Sequence, residues 1–302
     1  MIGGDGILEE NSTEIRYFAY GSNLNLDDLH RYCERVGRGQ ASFRRLACAY
    51  LPDRELVFHY RSPTRGGGAL DTRPRRGSVV EGVLFEVNEA GWEALDQKEG
   101  VASGRYRRIE VVVLTKDGRE SPATTYEVCE AFRQGFVEPR GDYVAIVARG
   151  LDSHGLSDEA LRCAAAGRPP PATLRGVFVY GTLMRGQSRW PILERHRVVS
   201  VAAAEVVAGL LHLGAYPGIV PDPSGSAITR GELVELERLV EAIEVLDEVE
   251  DFQGYGASFS LYRRSVIEAQ TDEGVALCWT YVYTGSALGA SPIPSGDWRD
   301  VS

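Results

Sequence analysis

The chain carries the same short phrase twice. Residues 16–24 read RYFAYGSNL and residues 176–183 read GVFVYGTL. Each is an apolar, aromatic-rich run ending in Tyr-Gly, a small hydroxyl residue, and Leu within two positions. A duplicated phrase restricts the fold to two copies of one unit unless it arises by coincidence, and the order of the remaining marks separates the two cases. In the first half EGVLFEV (81–87) precedes NEAGWEALDQKEG (88–100). In the second, GELVEL (231–236) precedes ERLVEAIEVLDEVED (237–251). Both read as a strand and then an amphipathic helix that ends in Leu-Asp-x-x-Glu, at Leu95–Glu99 and Leu246–Glu250. Tyr106-Arg107-Arg108 and Tyr262-Arg263-Arg264 then open β-branched stretches (109–114 and 265–269). Tyr126 and Tyr281 lie in alternating segments (123–128 and 276–283). Any two β-rich domains share strands and helices, but not these marks in this order.

Each copy needs a core, and 302 residues that are 43% hydrophobic supply two. No apolar run approaches the ~20 residues a spanning helix needs. Residues 1–13 begin an acidic stretch without the basic start and apolar core of a signal peptide, and are read as a flexible tail. A net charge of −10 disfavours a nucleic-acid partner. The Arg-rich segment 61–76 (RSPTRGGGALDTRPRR) reads as a mobile loop from its Gly and Pro content; the other reading is a pocket wall for an anionic ligand. Only Lys98 and Lys116 are lysines. Cys33, Cys48, Cys129, Cys163 and Cys278 are odd in number and lack C-x-x-C spacing, which fits buried thiols in a reducing cytoplasm. The five histidines show no H-x-x-x-H or H-x-H pairing, so no metal is expected.

The expected order is a first unit over 14–166, a Pro-rich linker over 167–175, a second unit over 176–284 and a C-terminal tail over 285–302. The tail is either loosely held or packed across the other unit. In the first unit, strands are expected over 15–20, 41–49, 55–60, 79–87, 106–114 and 123–128. A helix is expected over 89–98, stopped by Gly100, with two more over 142–150 and 157–166, the last capped by Ser157. Many short strands with few helices indicate a mixed or closed sheet and not a βαβ series.

The repeated phrase suits a particular chemistry. A strand ending at Tyr20 and turning at Gly21 can converge backbone N–H groups, and a helix starting near Leu26 adds its positive end. Such a loop holds a carboxylate or an oxyanion forming on a carbonyl; an ordinary strand–turn–helix has the same pattern. Leu95 and Glu99 share a helix face. With Leu95 and Trp92 in the core, Glu99 is partly buried at the negative end of its helix, and both factors raise its pKa toward what a general base needs. The alternative is a surface glutamate of the last turn. No G-x-S-x-G motif surrounds either loop, so a covalent nucleophile has no support. The residues point to acid–base work on a carbonyl, without cofactor.

Tyr20-Gly21-Ser22-Asn23-Leu24, Glu99 in LDQKEG, and the following SGRY resemble the γ-glutamylcyclotransferase family, as does the stretch through Tyr126 to 141–156. Tyr180-Gly181-Thr182-Leu183, AYPG at 215–218, Gly231-Glu232 and LDEVED look like its AIG2-like branch. The resemblance implies an α+β fold of two tandem domains, each a small mixed β-barrel flanked by helices, that releases 5-oxoproline from γ-glutamyl compounds. It implies Glu99 and Glu250 as the catalytic carboxylates. Tyr20, Gly21, Ser22, Asn23 and Leu24, with Tyr180, Gly181, Thr182 and Leu183, would bind the glutamyl group and the oxyanion. Tyr106, Tyr126, Tyr262 and Tyr281 would line the pockets. The substrate would be a small γ-glutamyl molecule, with no nucleic-acid or membrane partner. In the second unit Asp251 replaces the Gly after the glutamate, and Glu248 and Asp251 are expected to crowd Glu250 and raise its pKa. Residues 252–261 are inserted before Tyr262, where they reshape the leaving-group side. Other readings are one active unit beside a binding module, an amide hydrolase or acyltransferase, or a non-enzymatic regulator; glutamates at both positions argue against the last.

Overall fold

The computed structural model describes residues 16–170, 174, 176–286 and 289–301. The N-terminal tail and residues 171–173 and 175 of the expected linker lie outside them.

The first barrel is built from β1 (Arg16–Ala19), α1 (Leu26–Arg35), β2 (Phe43–Ser62), β3 (Gly67–Val87), α2 (Glu89–Glu99), β4 (Tyr106–Leu114) and β5 (Glu120–Val128), followed by α3 (Gly141–Ser153) and α4 (Glu159–Ala165). The strands pair in the order β1-β3-β2-β4-β5, and β5 closes the circuit by lying parallel to β1. Both end signals of α2 are local. Asn88 Oδ1 accepts from Gly91 N at 2.9 Å, an N-cap worth ~1 kcal/mol. At the other end Gly100 takes the left-handed conformation (φ 70°) that stops the helix one residue beyond its expected limit.

The second barrel repeats this with β6 (Val177–Val179), α5 (Trp190–Glu194), β7 (Val198–His212), β8 (Pro217–Pro221), β9 (Ile228–Leu236), α6 (Leu239–Val249), β10 (Tyr262–Thr271) and β11 (Gly274–Tyr283). The path β6-β9-β7-β10-β11 closes by β11 lying parallel to β6. Strand for strand this is the order of the first barrel. Shared local devices follow. Thr125 Oγ1 donates to Phe18 O at 2.8 Å and Thr280 Oγ1 to Phe178 O at 3.1 Å, tying each first strand to the last. Gly82 and Gly231 pass under the Phe18 and Phe178 rings. A Cβ there would lie 2.3 Å from Ala19 O and 2.2 Å from Val179 O, so only glycine lets these strands cross.

Several local expectations change. Residues 41–60 are not two strands: one 20-residue strand runs through, with irregular register at Arg45/Ala47, Pro52/Arg54 and Phe58/Tyr60. The segment 61–76 is not a loop. All but its turn belongs to β2 and β3, because its glycines serve close approach: a Cβ on Gly68 would lie 2.1 Å from Val137 O. Two of its arginines meet a carboxylate across the hairpin, with Arg73 Nε at 2.6 Å and Arg75 Nη1 at 2.7 Å from the buried Glu55 carboxylate. The cap of α4 is Asp158; Ser157 Oγ accepts from Glu159 N at 3.2 Å from one residue earlier. The C-terminal segment returns to its own barrel. β12 (Ser291–Pro292) pairs with β7, and Ile293 and Trp298 are buried in the second core. Of the free cysteines, Cys33 and Cys278 are buried and the other three half-buried. No described helix is long and apolar enough to cross a membrane.

The two barrels touch through the far end of the β2–β3 hairpin and through the β4–β5 turn, where Asp117 bridges to Ile267 and Lys116 Nζ lies 3.1 Å from Glu268. Tyr50, Val79 and Leu114 of the first belong to the second hydrophobic core, and Trp279 Nε1 donates to Gly77 O at 3.3 Å.

Candidate active site

In the first barrel β1 ends at Ala19, Tyr20 leaves the sheet, and a 3₁₀ turn over Ser22–Leu24 leads into α1, capped by Asn25. α2 ends opposite this turn, so its last residue, Glu99, faces Tyr-Gly-Ser-Asn. Together they line a pocket of about 330 Å³ of empty space, mouth included. Asn23 is buried and bridges the site. Its Nδ2 donates to Glu99 Oε1 at 2.9 Å and to Tyr17 OH at 2.8 Å. Lys98 fixes that orientation by donating to Asn23 Oδ1 at 2.7 Å. Nζ of Lys98 also lies 3.7 Å from Asp28, and its side chain is 8% exposed.

Burial pushes the Glu99 carboxyl above the usual carboxylate range, while Lys98, the Asn23 hydrogen bond and Arg65 pull it back and Asp71 adds a push upward. The phenols around it all remain protonated donors. Tyr20 is raised by burial and by Asp71, and Tyr143 to about 12 by burial. Tyr20 OH reaches Tyr126 O at 2.8 Å and Asp71 Oδ1 at 3.2 Å; Asp71, fully buried, is 2.6 Å from His59 Nε2. Tyr106 OH donates to Leu70 O at 3.2 Å, and Tyr126 OH to Asp96 Oδ1 at 2.7 Å.

The second pocket, about 560 Å³ with its mouth, repeats the frame with different chemistry. Tyr180 OH donates to Tyr281 O at 2.7 Å, Tyr281 OH to Asp247 Oδ1 at 2.7 Å and Tyr262 OH to Pro217 O at 2.6 Å. Each is the counterpart of a first-site bond. Glu250 follows α6 directly and is backed by Asp251, whose φ of 52° reproduces the left-handed stop that Gly100 provides. At the position of Asn23 stands Leu183, so the carboxylate loses its amide donor. Arg189 is its basic neighbour at 3.9 Å. Burial pushes the Glu250 carboxyl up to about 7 against the pull of Arg189. The expected crowding by Glu248 and Asp251 is not the cause: Glu248 points to solvent.

The pockets thus gather Tyr20, Gly21, Ser22, Asn23, Glu99, Tyr106 and Tyr126 in one, and Tyr180, Gly181, Thr182, Leu183, Glu250, Tyr262 and Tyr281 in the other. Leu24 is the exception. It is fully buried in the core beneath the turn, because the 3₁₀ turn rotates it inward; its counterpart is Met184, also fully buried. The inserted segment 252–261 brings Leu261 to the second pocket. Sequence reasoning passed over Tyr17, Asp71, Lys98 and Tyr143 in the first site and Arg189 in the second, and noted Tyr216 within the AYPG mark without giving it a place in the site. Lys98 carried a signal, as one of two lysines and adjacent to Glu99. Asp71 carried none, because only strand pairing brings it there. A buried carboxylate with its pKa pushed upward, beside phenol donors and a backbone turn, can exchange a proton with an amine and steady a developing oxyanion.

Comparison with known proteins bears on the same chemistry. The family described as "Gamma-glutamyl cyclotransferase, AIG2-like" matches residues 177–300, and the AIG2-like family matches 79–162. The chain is 30% identical over 158 residues to γ-glutamylcyclotransferase of Bos taurus, covering 51% of this chain and 79% of that protein. It is 33% identical over 144 residues to γ-glutamylcyclotransferase of Homo sapiens (46% and 71%). It is 33% identical over 110 residues to the γ-L-glutamyl-butirosin B γ-glutamyl cyclotransferase of Niallia circulans (35% and 65%). The chain belongs to the γ-glutamylcyclotransferase family of enzymes and holds two copies of that fold in tandem.

Proposed function

We propose that each unit, residues 14–166 and 176 onward, cyclises a γ-glutamyl substrate, with Glu99 and Glu250 as the general acid–base groups. The substrate's α-nitrogen attacks its own γ-carbonyl carbon, a five-membered lactam closes, and the bond from that carbon to the leaving nitrogen breaks. The products are 5-oxoproline and a free amine. The glutamate takes one proton of the α-ammonium and passes it to the departing nitrogen, so one carboxyl serves both steps; the second proton, shed as the attacking nitrogen becomes the lactam N–H, leaves with the product amine as its ammonium form. Because closure is intramolecular, the pocket's main task is to hold the curled conformer, a contribution that reaches ~7 kcal/mol or more in well-oriented systems. The single observation that carries this reading is a carboxylate with raised pKa facing a Tyr-Gly turn, present twice at equivalent positions.

The pockets differ in what they favour. Asn23, Ser22 and nearby Lys98 make the first polar, whereas Leu183, Tyr216 and Leu261 make the second apolar around Glu250. The second unit is therefore assigned the more apolar leaving amine. The Niallia circulans relative, whose name specifies a γ-glutamylated butirosin, supports a variant of this reading in which one unit deprotects a larger amine. Free thiols at all five described cysteines fit a reducing cytoplasm. The test is product identity: γ-glutamyl amino acids, glutathione and γ-glutamyl amines are each incubated with the protein. 5-Oxoproline plus free amine is expected; free glutamate would make it a hydrolase.

A further inference from the structure

Asp96 and Asp247 are counterparts, as are Arg108 and Arg264, and Tyr126 and Tyr281. In each unit the arginine grips the aspartate, and the aspartate accepts the tyrosine hydroxyl. Their surroundings are opposite. Arg108 and Asp96 are 36% and 35% exposed and lie on Trp92 at the surface of the first unit. Arg264 and Asp247 are 1% and 6% exposed: Phe252, Tyr255 and Trp279 of the second unit lie against the guanidinium, and the first unit adds a charged cover.

The cover is built from two charged groups of the β2–β3 hairpin. Asp53 pairs with Arg264 Nη2 and is itself held by Gly77 N at 2.8 Å. Arg76 Nη2 donates to Asp247 Oδ2 at 2.9 Å, the oxygen that also takes Arg264 Nη1 at 3.0 Å. Asp53 adopts φ 55°, which a register shift in the hairpin makes possible. Asp247 then has one oxygen saturated by two arginines and the other free for Tyr281 OH. Tyr281 lines the second pocket, and Glu250 follows Asp247 by three residues. A buried carboxylate with one cation removed is left under-compensated, so the group it orients loses its fixed partner.

We propose that Asp53 and Arg76 of the first unit are positioning residues of the second active site, which is complete only with the first barrel against it. The first site closes its own chain through Arg108 and needs nothing from the second unit, so support runs one way. This rests on the reading of Glu250 as a catalytic carboxylate.

The full chain carries its own control. Glu99→Gln isolates the second site and Glu250→Gln the first. Arg76→Met, Arg76→Lys and Asp53→Asn are placed in each background, and 5-oxoproline release from γ-glutamyl-L-alanine and from γ-glutamylmethylamide is measured. In the Glu99→Gln background Arg76→Met and Asp53→Asn are expected to lower kcat/KM about tenfold or more, as misplaced site groups do, with Arg76→Lys recovering most of the loss. In the Glu250→Gln background the same changes leave kcat/KM as it was. Loosened packing alone would not be rescued by lysine and would reach both sites. Unchanged kcat/KM in the Glu99→Gln background, or equal losses in both, overturns the proposal. A Glu99→Gln chain inactive on both probes removes the catalytic role of Glu250 and the proposal with it, an outcome distinct from an active chain indifferent to Arg76.

Discussion

Glu99 and Glu250 end equivalent helices and are held by different neighbours. Lys98 contributes to Glu99 twice: its charge favours the ionised carboxylate, and its hydrogen bond turns the Asn23 amide so that Nδ2 reaches Oε1. Lys98→Met removes both, so the pKa of Glu99 rises further. In a Glu250→Gln background the acid limb of the rate profile moves to higher pH, and kcat/KM below that limb falls by about tenfold for each unit moved. A limb that stays in place would show that Lys98 does not act on Glu99. Glu250 makes a separate prediction about stability. Its pKa is raised from 4.5 to about 7, so between those values the native state holds a proton that the unfolded chain has released. Its contribution is therefore fully present below pH 4.5 and lost as pH rises through 7. Glu250→Gln removes that penalty: urea unfolding should find the variant more stable than the parent at pH 8 by on the order of 2–3 kcal/mol, and equal to it at pH 4.5. Of the two glutamates, spacing pointed only to Glu99, whose helix Leu95 orients, and left a surface glutamate of the last turn open; Glu250 came from the resemblance. Asn23 and Leu183 were harder to match. Aligning the two phrases on their leucines is one residue out, and only the turn shows that Leu24 corresponds to Met184.

At the scale of elements, the barrels close because a short first strand accepts a last strand in parallel, and glycine permits the tight crossing beneath it. Gly82→Ala and Gly231→Ala force a Cβ within 2.3 Å of a backbone oxygen. Each should cost ~3 kcal/mol, the upper end for overpacking, read as a lowered urea midpoint at unchanged slope; a loss under ~1 kcal/mol would mean the strands can part there. The helix over 89–98 was readable from its stop at Gly100; its cap Asn88 was not read, and the cap expected at Ser157 falls at Asp158. The long hairpin was not. Gly, Pro and Arg over 61–76 read locally as a loop, and what makes them strand lies elsewhere: Glu55 across the hairpin for the arginines, and the 137–140 backbone for Gly68. Tertiary pairing overrides local composition in this segment.

At the scale of the molecule, duplication has produced two sites that share a frame and differ in lining, charge and support. The closed strand order β1-β3-β2-β4-β5 recurs as β6-β9-β7-β10-β11, and the order of marks in the sequence announced it. How the copies pack was not legible, because Asp53 and Arg76 read as ordinary surface charges until the barrels meet. The pairing of carboxylate with Tyr-Gly turn in both copies is the central claim, and one measurement addresses it: 5-oxoproline release by the parent, Glu99→Gln, Glu250→Gln and the double variant over a common panel of γ-glutamyl substrates. Each single variant should lose ~10²-fold or more on the substrates of its own site and keep the other's, and the double variant should lose both. A double variant that releases 5-oxoproline at the parent's rate would contradict the assignment of both glutamates.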